Sequence, residues 1–407
     1  MPEPARSAEL SRWTFPLALG LLVGLLSLHI ADPWRYLHDD NGRRYSSYAR
    51  THLVRGLAVT GGRDFFYDAR DGRMVPYGHH PPGLGLLLAG WFRLLGADSP
   101  MIARSLAVLF HLATAVIVFA ILRAYYPGPP GLVAAFVFAV VPMSSFFGKL
   151  VNFEPFVLPF TVGAVVAYWR WAERGGHGFP TTTFLLVAAG TLIDWPILLA
   201  LLVIAGDALR RFRGGEGRTF LTVAIAALVV GPLLGAGVAA WTSSAVGLPE
   251  IGKAARFRLR LHGQYHWWQL VGKIVDYNRR YFTEPVLIAQ VVVAWGLLAD
   301  RWHGRTFSPR ARLVALLGLA GLVPLAGFPS SARYHAYWQF NLLPYATLAV
   351  AQVLDTMVAR LAPPRRRIAY AVLVLWVGIA SGKMLHTRYH RPSGYVARMV
   401  RQFQHYL

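Results

Sequence analysis

Gly83-Leu84-Gly85-Leu86-Leu87-Leu88-Ala89-Gly90-Trp91-Phe92, followed at once by Arg93, is the stretch on which the topology of the chain turns. A helix needs roughly 20 apolar residues to cross the hydrocarbon core of a bilayer, at about 1.5 Å of rise per residue. This run stops at about half that length, so it reads as a helix lying at the membrane surface, with both ends on one side. Every later connection keeps or inverts its side according to that one reading.

Working outward, the apolar runs place crossings at 101–123, 131–147, 155–171, 182–194, 196–207, 220–246, 285–299, 313–328, 338–358 and 368–385. Pro196 and the polar Asp194 divide 182–207 into two short helices. A first span at 13–31 brings the expected number to eleven. Asp32-Pro33-Trp34 follows it in place of a small-residue cleavage site, so it reads as a retained span. With the amino terminus inside, the inner connections carry Arg170 and Arg174, then Arg210, Arg211, Arg213 and Arg218. They are followed by Arg301, Arg305, Arg310 and Arg312, and by Arg360, Arg365, Arg366 and Arg367. Short outer connections near Asn152, Trp195 and Ser330 carry far fewer, as the positive-inside rule requires. If 83–96 crossed, the rule would fail throughout.

Composition agrees. Of 407 residues, 55% are hydrophobic and only 15% charged, where a soluble domain carries about a quarter charged. Mean hydropathy is +0.41. The class is therefore an all-α polytopic membrane protein of about eleven transmembrane helices. The first extracytoplasmic loop carries interfacial helices, and a β-barrel pattern is absent. The net charge of +22 is not a nucleic-acid signal, because the arginines sit in connections between spans, where they orient the chain and meet anionic membrane lipids. There is no cysteine, so neither disulfides nor thiolate chemistry enter. The whole of 1–407 reads as one membrane-embedded domain: first span 13–31, loop 32–100, core spans 101–246, second outer loop 247–284, C-terminal spans 285–385 and outer tail 386–407.

Water-facing chemistry concentrates in the polar segment 33–82, opened by His38-Asp39-Asp40-Asn41-Gly42 and closed by His79-His80-Pro81-Pro82. Within it Tyr45, Tyr48, Ala49, His52 and Leu53 form one stripe of an interfacial helix that Gly61-Gly62 ends, and 64–72 reads as loop. Asp39 and Asp40, partly withdrawn from water at the membrane boundary, suit a general base; a turn or helix cap explains them equally. Glu154 precedes Pro155, which reads as the first residue of a helix; the dipole there favours a carboxylate, on the same face as Asp39. Lys149 and Asn152 stand just before it. His79 and His80 suit substrate hydrogen bonding; no ligand spacing marks a metal site, and a divalent metal requirement stays open. Arg333, His335 and Tyr337 lie in a short outer connection where an arginine runs against the charge rule, which suits a phosphate. Arg256, Arg258 and Arg260 alternate with apolar residues in a strip suited to lipid headgroups.

The segment Pro142-Met143-Ser144-Ser145-Phe146-Phe147-Gly148-Lys149, then Asn152-Phe153-Glu154-Pro155, resembles glycosyltransferase family 39. That group contains the dolichyl-phosphate-mannose–protein mannosyltransferases and their bacterial relatives, of GT-C fold. His38–Gly42 with Tyr45, Ala49, Arg50 and Gly56 resembles its first loop. His79–Gly83 with Phe92, Gly96 and Arg104 resembles its His-Pro-Pro segment. The similarity runs over about 34–171 and thins afterwards. It implies a multi-pass glycosyltransferase of the cytoplasmic (inner) membrane, with its site on the extracytoplasmic face. It would move a sugar from a polyprenyl-phosphate donor to an acceptor hydroxyl with inversion. The resemblance assigns the base to Asp39 and the second acid to Glu154. Asp40 holds a position often apolar or aromatic in the family, so the two aspartates compete for the first role. A transporter or flippase of a lipid-linked substrate, and a non-catalytic homologue, are the alternatives.

Overall fold

The computed structural model describes residues 3–68, 70–259, 266–390, 393, 394 and 396. Helix α1 (Glu3–Ser27) leads into α2 (Asp39–Arg55) and the single turn α3 (Leu57–Thr60). A hairpin of β1 (Phe65–Tyr67) and β2 (Met74–Pro76) precedes α4 (Gly83–Leu95). Then come α5 (Pro100–Tyr125), α6 (Pro129–Val140), α7 (Pro142–Ser145), α8 (Phe153–Glu173), α9 (Thr181–Thr191), α10 (Leu198–Arg213) and α11 (Arg218–Val246). The chain ends with α12 (Leu248–Leu259), α13 (Trp267–Tyr281), α14 (Glu284–Trp302), α15 (Pro309–Gly327), α16 (Pro329–Tyr334), α17 (Leu343–Thr356) and α18 (Pro363–His390).

Among the described residues, six helices are long and apolar enough to cross a membrane: α5, α11, α14, α15, α18 and the segment Ala336–Arg360 that contains α17. The pair α6–α7, bent by 49° at Val141-Pro142, makes a seventh if taken as one span. The other four of the eleven expected crossings fall on α1, α8, α9 and α10. Of these, α8 is buried along most of its length, so it needs no lipid-facing apolar surface. The break between α9 and α10 lies at Leu192–Asp194, as Pro196 suggests.

Two polar ends organise the bundle. At one, Arg310 pairs with Asp355 (2.6 Å) and meets the end of α5 through the Tyr125 carbonyl (3.3 Å). Arg211, buried, binds Asp207 (3.0 Å), Glu216 (2.7 Å) and Glu173, to which Arg312 also donates (2.7 Å). The arginine-rich connections thus share one end, and satisfied charges staple α8, α10 and α15 there. The opposite end holds Asp39, Arg104, Glu154 and Asp194.

Helix α4 begins and finishes at that second end. Its first amide, Gly83 N–H, donates to the Leu192 carbonyl (2.9 Å), and Trp91 donates to Ile102 in the opening turn of α5 (3.1 Å). It does not cross, so the reading of 83–92 holds.

The rest of the first loop corrects the sequence reading. Helix α2 stops at Gly56, not Gly61. Residues 64–72 are not loop throughout: β1 starts within them and pairs Phe65 with Pro76, Phe66 with Val75 and Tyr67 with Met74. Tyr45, Tyr48, Ala49 and His52 are buried under protein, while Leu53 is exposed. The stripe packs on α4 and the hairpin; Tyr48 meets Phe66 and Tyr77 at 4.7 and 4.9 Å. Helix α8 starts at Phe153, which puts Pro155 third and Glu154 inside the first turn. The basic strip at Arg256 belongs to helix α12; Arg260 and the Arg258 side chain lie outside the described residues. The outer tail from 397 also lies outside them.

Close approach in this loop makes a test. A Cβ on Gly85 would stand 2.1 Å from Asp64 Oδ1, which His52 Nε2 holds at 3.2 Å. Gly85→Ala should cost about 1–3 kcal/mol by overpacking. A lower Tm in detergent checks this; an unchanged Tm would show that α4 and Asp64 separate freely.

Candidate active site

His38 adopts a left-handed conformation (φ 67°) immediately before α2, a backbone state unusual for a non-glycine residue. The turn is held from both sides. Asp39 Oδ2 accepts from the backbone amides of Arg35 (3.0 Å) and Tyr36 (2.8 Å) and from the Arg104 guanidinium (2.9 Å). The ring of Trp34 lies beneath Arg104 at 4.6 Å and against Gly42, where a Cβ would meet it at 2.3 Å. Glycine in this motif is therefore a packing requirement.

With Asp39 occupied inward, Asp40 is the carboxylate that lines a cavity of about 420 Å³, together with His38, Asn41, Ser330, Ser331 and His335. Asp40 Oδ1 and Ser330 Oγ are buried there without a hydrogen-bond partner among the described residues. Burial pushes the Asp40 carboxyl above its ordinary value; Arg44 opposes this, and Asp39 adds to it. Burial, with the His335 and Arg388 charges, pushes His38 down to about 3, so its ring is neutral. His38, His335 and Tyr337 form an aromatic wall, with Tyr337 edge-on to His38 at 4.7 Å and stacked with His335 at 4.9 Å.

Glu154 reaches this wall from the other side. Asn152 Nδ2 donates to Glu154 Oε2 (2.5 Å). The Tyr337 phenol lies against the side chains of Asn41 and Asn152 and in the field of both Glu154 and Asp40. The structure thus gathers Asp40, Glu154, Asn152, His335 and Tyr337.

The remaining candidates stand further out. His80 Nδ1 meets the buried Asp194 Oδ1 at 2.9 Å, and its ring stacks on Phe153 at 3.9 Å, bracing the turn that carries Glu154. That contact accounts for Asp194. The His79 carbonyl accepts from Trp195 (3.3 Å). Lys149 is buried, donates to the Leu28 carbonyl and stands 4.8 Å from the Tyr389 ring, outside the cavity lining. The Arg333 carbonyl accepts from Tyr277 (3.0 Å), and its guanidinium stands 5.8 Å from the Tyr334 ring. Sequence reasoning missed His38, Asn41, Ser330 and Ser331 as lining residues. The first two lay inside the quoted motif, and the serines three and two positions before Arg333. Among the described residues, no group of three or more His, Cys, Asp or Glu is arranged to hold a metal.

No protein-family model matches the chain, and no curated protein matches it. Solved structures do. The oligosaccharyltransferase of Archaeoglobus fulgidus in its apo form superposes with a TM-score of 0.59 at 14% identity, covering 92% of this chain and 56% of its own. ArnT from Cupriavidus metallidurans bound to undecaprenyl phosphate gives 0.57 at 15% identity, covering 96% and 72%. The chain has the GT-C fold. A further structure, archaeal oligosaccharyltransferase AglB with an inhibitory peptide and a dolichol-phosphate, gives 0.54 at 15% identity over 92% of this chain. This GT-C chain spans about half the length of the oligosaccharyltransferases it matches.

Proposed function

We propose that this protein is a membrane glycosyltransferase that moves a sugar from a polyprenyl-phosphate donor to an acceptor hydroxyl at the extracytoplasmic face of the inner membrane. The observation that carries the reading is Asp40: a buried carboxylate with an unoccupied oxygen, lining a cavity with His38, Asn41, Ser330, Ser331 and His335. Asp40 replaces Asp39 as the base, because Asp39 is committed to Arg104. Asp40 takes the acceptor proton, the acceptor oxygen forms a bond to the anomeric carbon, and the carbon–phosphate oxygen bond breaks with its electron pair leaving on the polyprenyl phosphate. The phosphate is already a good leaving group, so no acid is needed to protonate it. One displacement inverts the anomeric centre.

Glu154 acts through Asn152 and Tyr337 to position the acceptor. Arg333 supplies cationic charge for the phosphate near the cavity, and His79, His80 and Lys149 support the surrounding turns. A ligand that is polyprenyl phosphate in ArnT and dolichol-phosphate in AglB fits the same class of donor here.

Transfer of radiolabelled sugar from polyprenyl-phosphate donors in membranes tests the reading. A base must be deprotonated, so the rate should fall as pH drops through the raised pKa of Asp40, with an acid limb above the ordinary carboxylate value near 4. Glu154→Gln should slow transfer by about 10–100-fold while keeping that limb, as expected of a group that positions. A rate flat down to the ordinary value removes Asp40 from the reaction.

A further inference from the structure

At the end of the bundle opposite the acidic cavity, two apolar grooves run along neighbouring faces of α15. One, of about 440 Å³, lies against the C-terminal half of α14 and is lined by Leu297 and Leu298 from that helix and Leu322 from α15. The other, of about 410 Å³, lies against α10, where Leu202 and Val203 face Leu316 and Val323. Phe307, Ala315 and Leu319 line both and form the ridge between them. From Pro309 to Leu322 the ridge helix rises about 20 Å, enough to carry a groove from a headgroup region toward the bilayer midplane.

The mouth is cationic. Arg210 lines both grooves, Arg301 and Arg305 line the first and Arg312 the second. Asp207 is the acid in the lining, and it is already bound by Arg210 (2.9 Å) and Arg211 (3.0 Å). Arg305 pairs with Asp300 (3.1 Å) and Arg312 with Glu173 (2.7 Å), while Arg301 has no ion pair among the described residues. On α14 the exposed Trp302 marks the same level, as interfacial tryptophans do.

We propose that the twin groove binds one anionic two-chain phospholipid. Its phosphate sits on Arg210, Arg301 and Arg305, and its acyl chains lie one on each side of the Ala315–Leu319 ridge. A choline headgroup would bring a further cation among these guanidinium groups. A single polyprenyl chain would fill one groove and leave the other open. The arginines at 365–367 share this end of the bundle and do not line the grooves, so they form the control for headgroup attraction in general.

Native mass spectrometry of the full chain in detergent, titrated with phosphatidylglycerol, phosphatidylcholine or undecaprenyl phosphate, tests the site without reference to transfer activity. One phosphatidylglycerol should bind per chain, about tenfold tighter than phosphatidylcholine. Arg301→Gln with Arg305→Gln, both at exposed positions, should weaken it by about tenfold, and Arg365→Gln with Arg366→Gln should not. Equal binding of phosphatidylcholine, equal loss in the two double variants, or a preference for undecaprenyl phosphate that Arg301→Gln with Arg305→Gln abolishes would each overturn the proposal.

Discussion

Asp40→Asn is expected to cut sugar transfer by about 10²–10⁴-fold while the membrane domain stays folded. The size follows from losing a positioned general base while the cavity shape is kept. The stability expectation follows from geometry: Asp40 Oδ1 has no hydrogen-bond partner among the described residues, so the amide breaks no contact at that atom. The carboxyl is held above its ordinary value by burial, and removing its charge relieves that cost. Two measurements check the prediction on one preparation: radiolabelled transfer at saturating donor, and thermal unfolding in detergent. A variant that transfers at half the wild-type rate or better rules out Asp40 as the base. A variant that loses activity only because its Tm collapses would place Asp40 among the structural acids instead.

The path of the chain was legible because span length and charge placement act on the whole bundle. A ten-residue run ending in Arg93 is too short to cross, and α4 returns to the end it left. The arginines assigned to inner connections meet at one end through Arg211–Glu173 and Arg310–Asp355. The hairpin at Phe65–Pro76 was not legible, since its strands are three residues each and too short for a period-two pattern to register. Nor was the destination of the α2 stripe. An amphipathic helix shows that one face is buried, not whether lipid or protein buries it, and here α4 and the hairpin do.

The site was half legible for a related reason. The motif at His38–Gly42 and the acid at Glu154 lie at the end of the bundle that holds the candidate cavity. Which of two adjacent aspartates faces the cavity depends on the left-handed turn at His38 and on Arg104, sixty-five positions away from Asp39. Neighbours on a helix point about 100° apart, so one turns inward when the other turns outward. A partner that distant in sequence leaves no local trace.

The inward aspartate gives the second large effect. Asp39→Asn should destabilise the protein by about 3–5 kcal/mol, because it leaves the buried Arg104 without its carboxylate. Arg104 also donates to the Ile30 carbonyl (2.9 Å) and to the Asp32 carbonyl, so the pair ties the exit of α1 to α5 and α2 together. Asp39→Asn with Arg104→Met removes both charges at once and should be less destabilised than the sum of the single variants by about 1 kcal/mol or more. Recovery stays partial, since the Ile30 and Asp32 carbonyls lose their donor. Activity separates this role from catalysis. Measured below its lowered Tm, Asp39→Asn should keep residual transfer with an acid limb moved to lower pH, because Asp40 still supplies the base and no longer feels the Asp39 charge. If the acid limb disappears in a folded Asp39→Asn protein, Asp39 is itself the base and Arg104 its electrostatic partner.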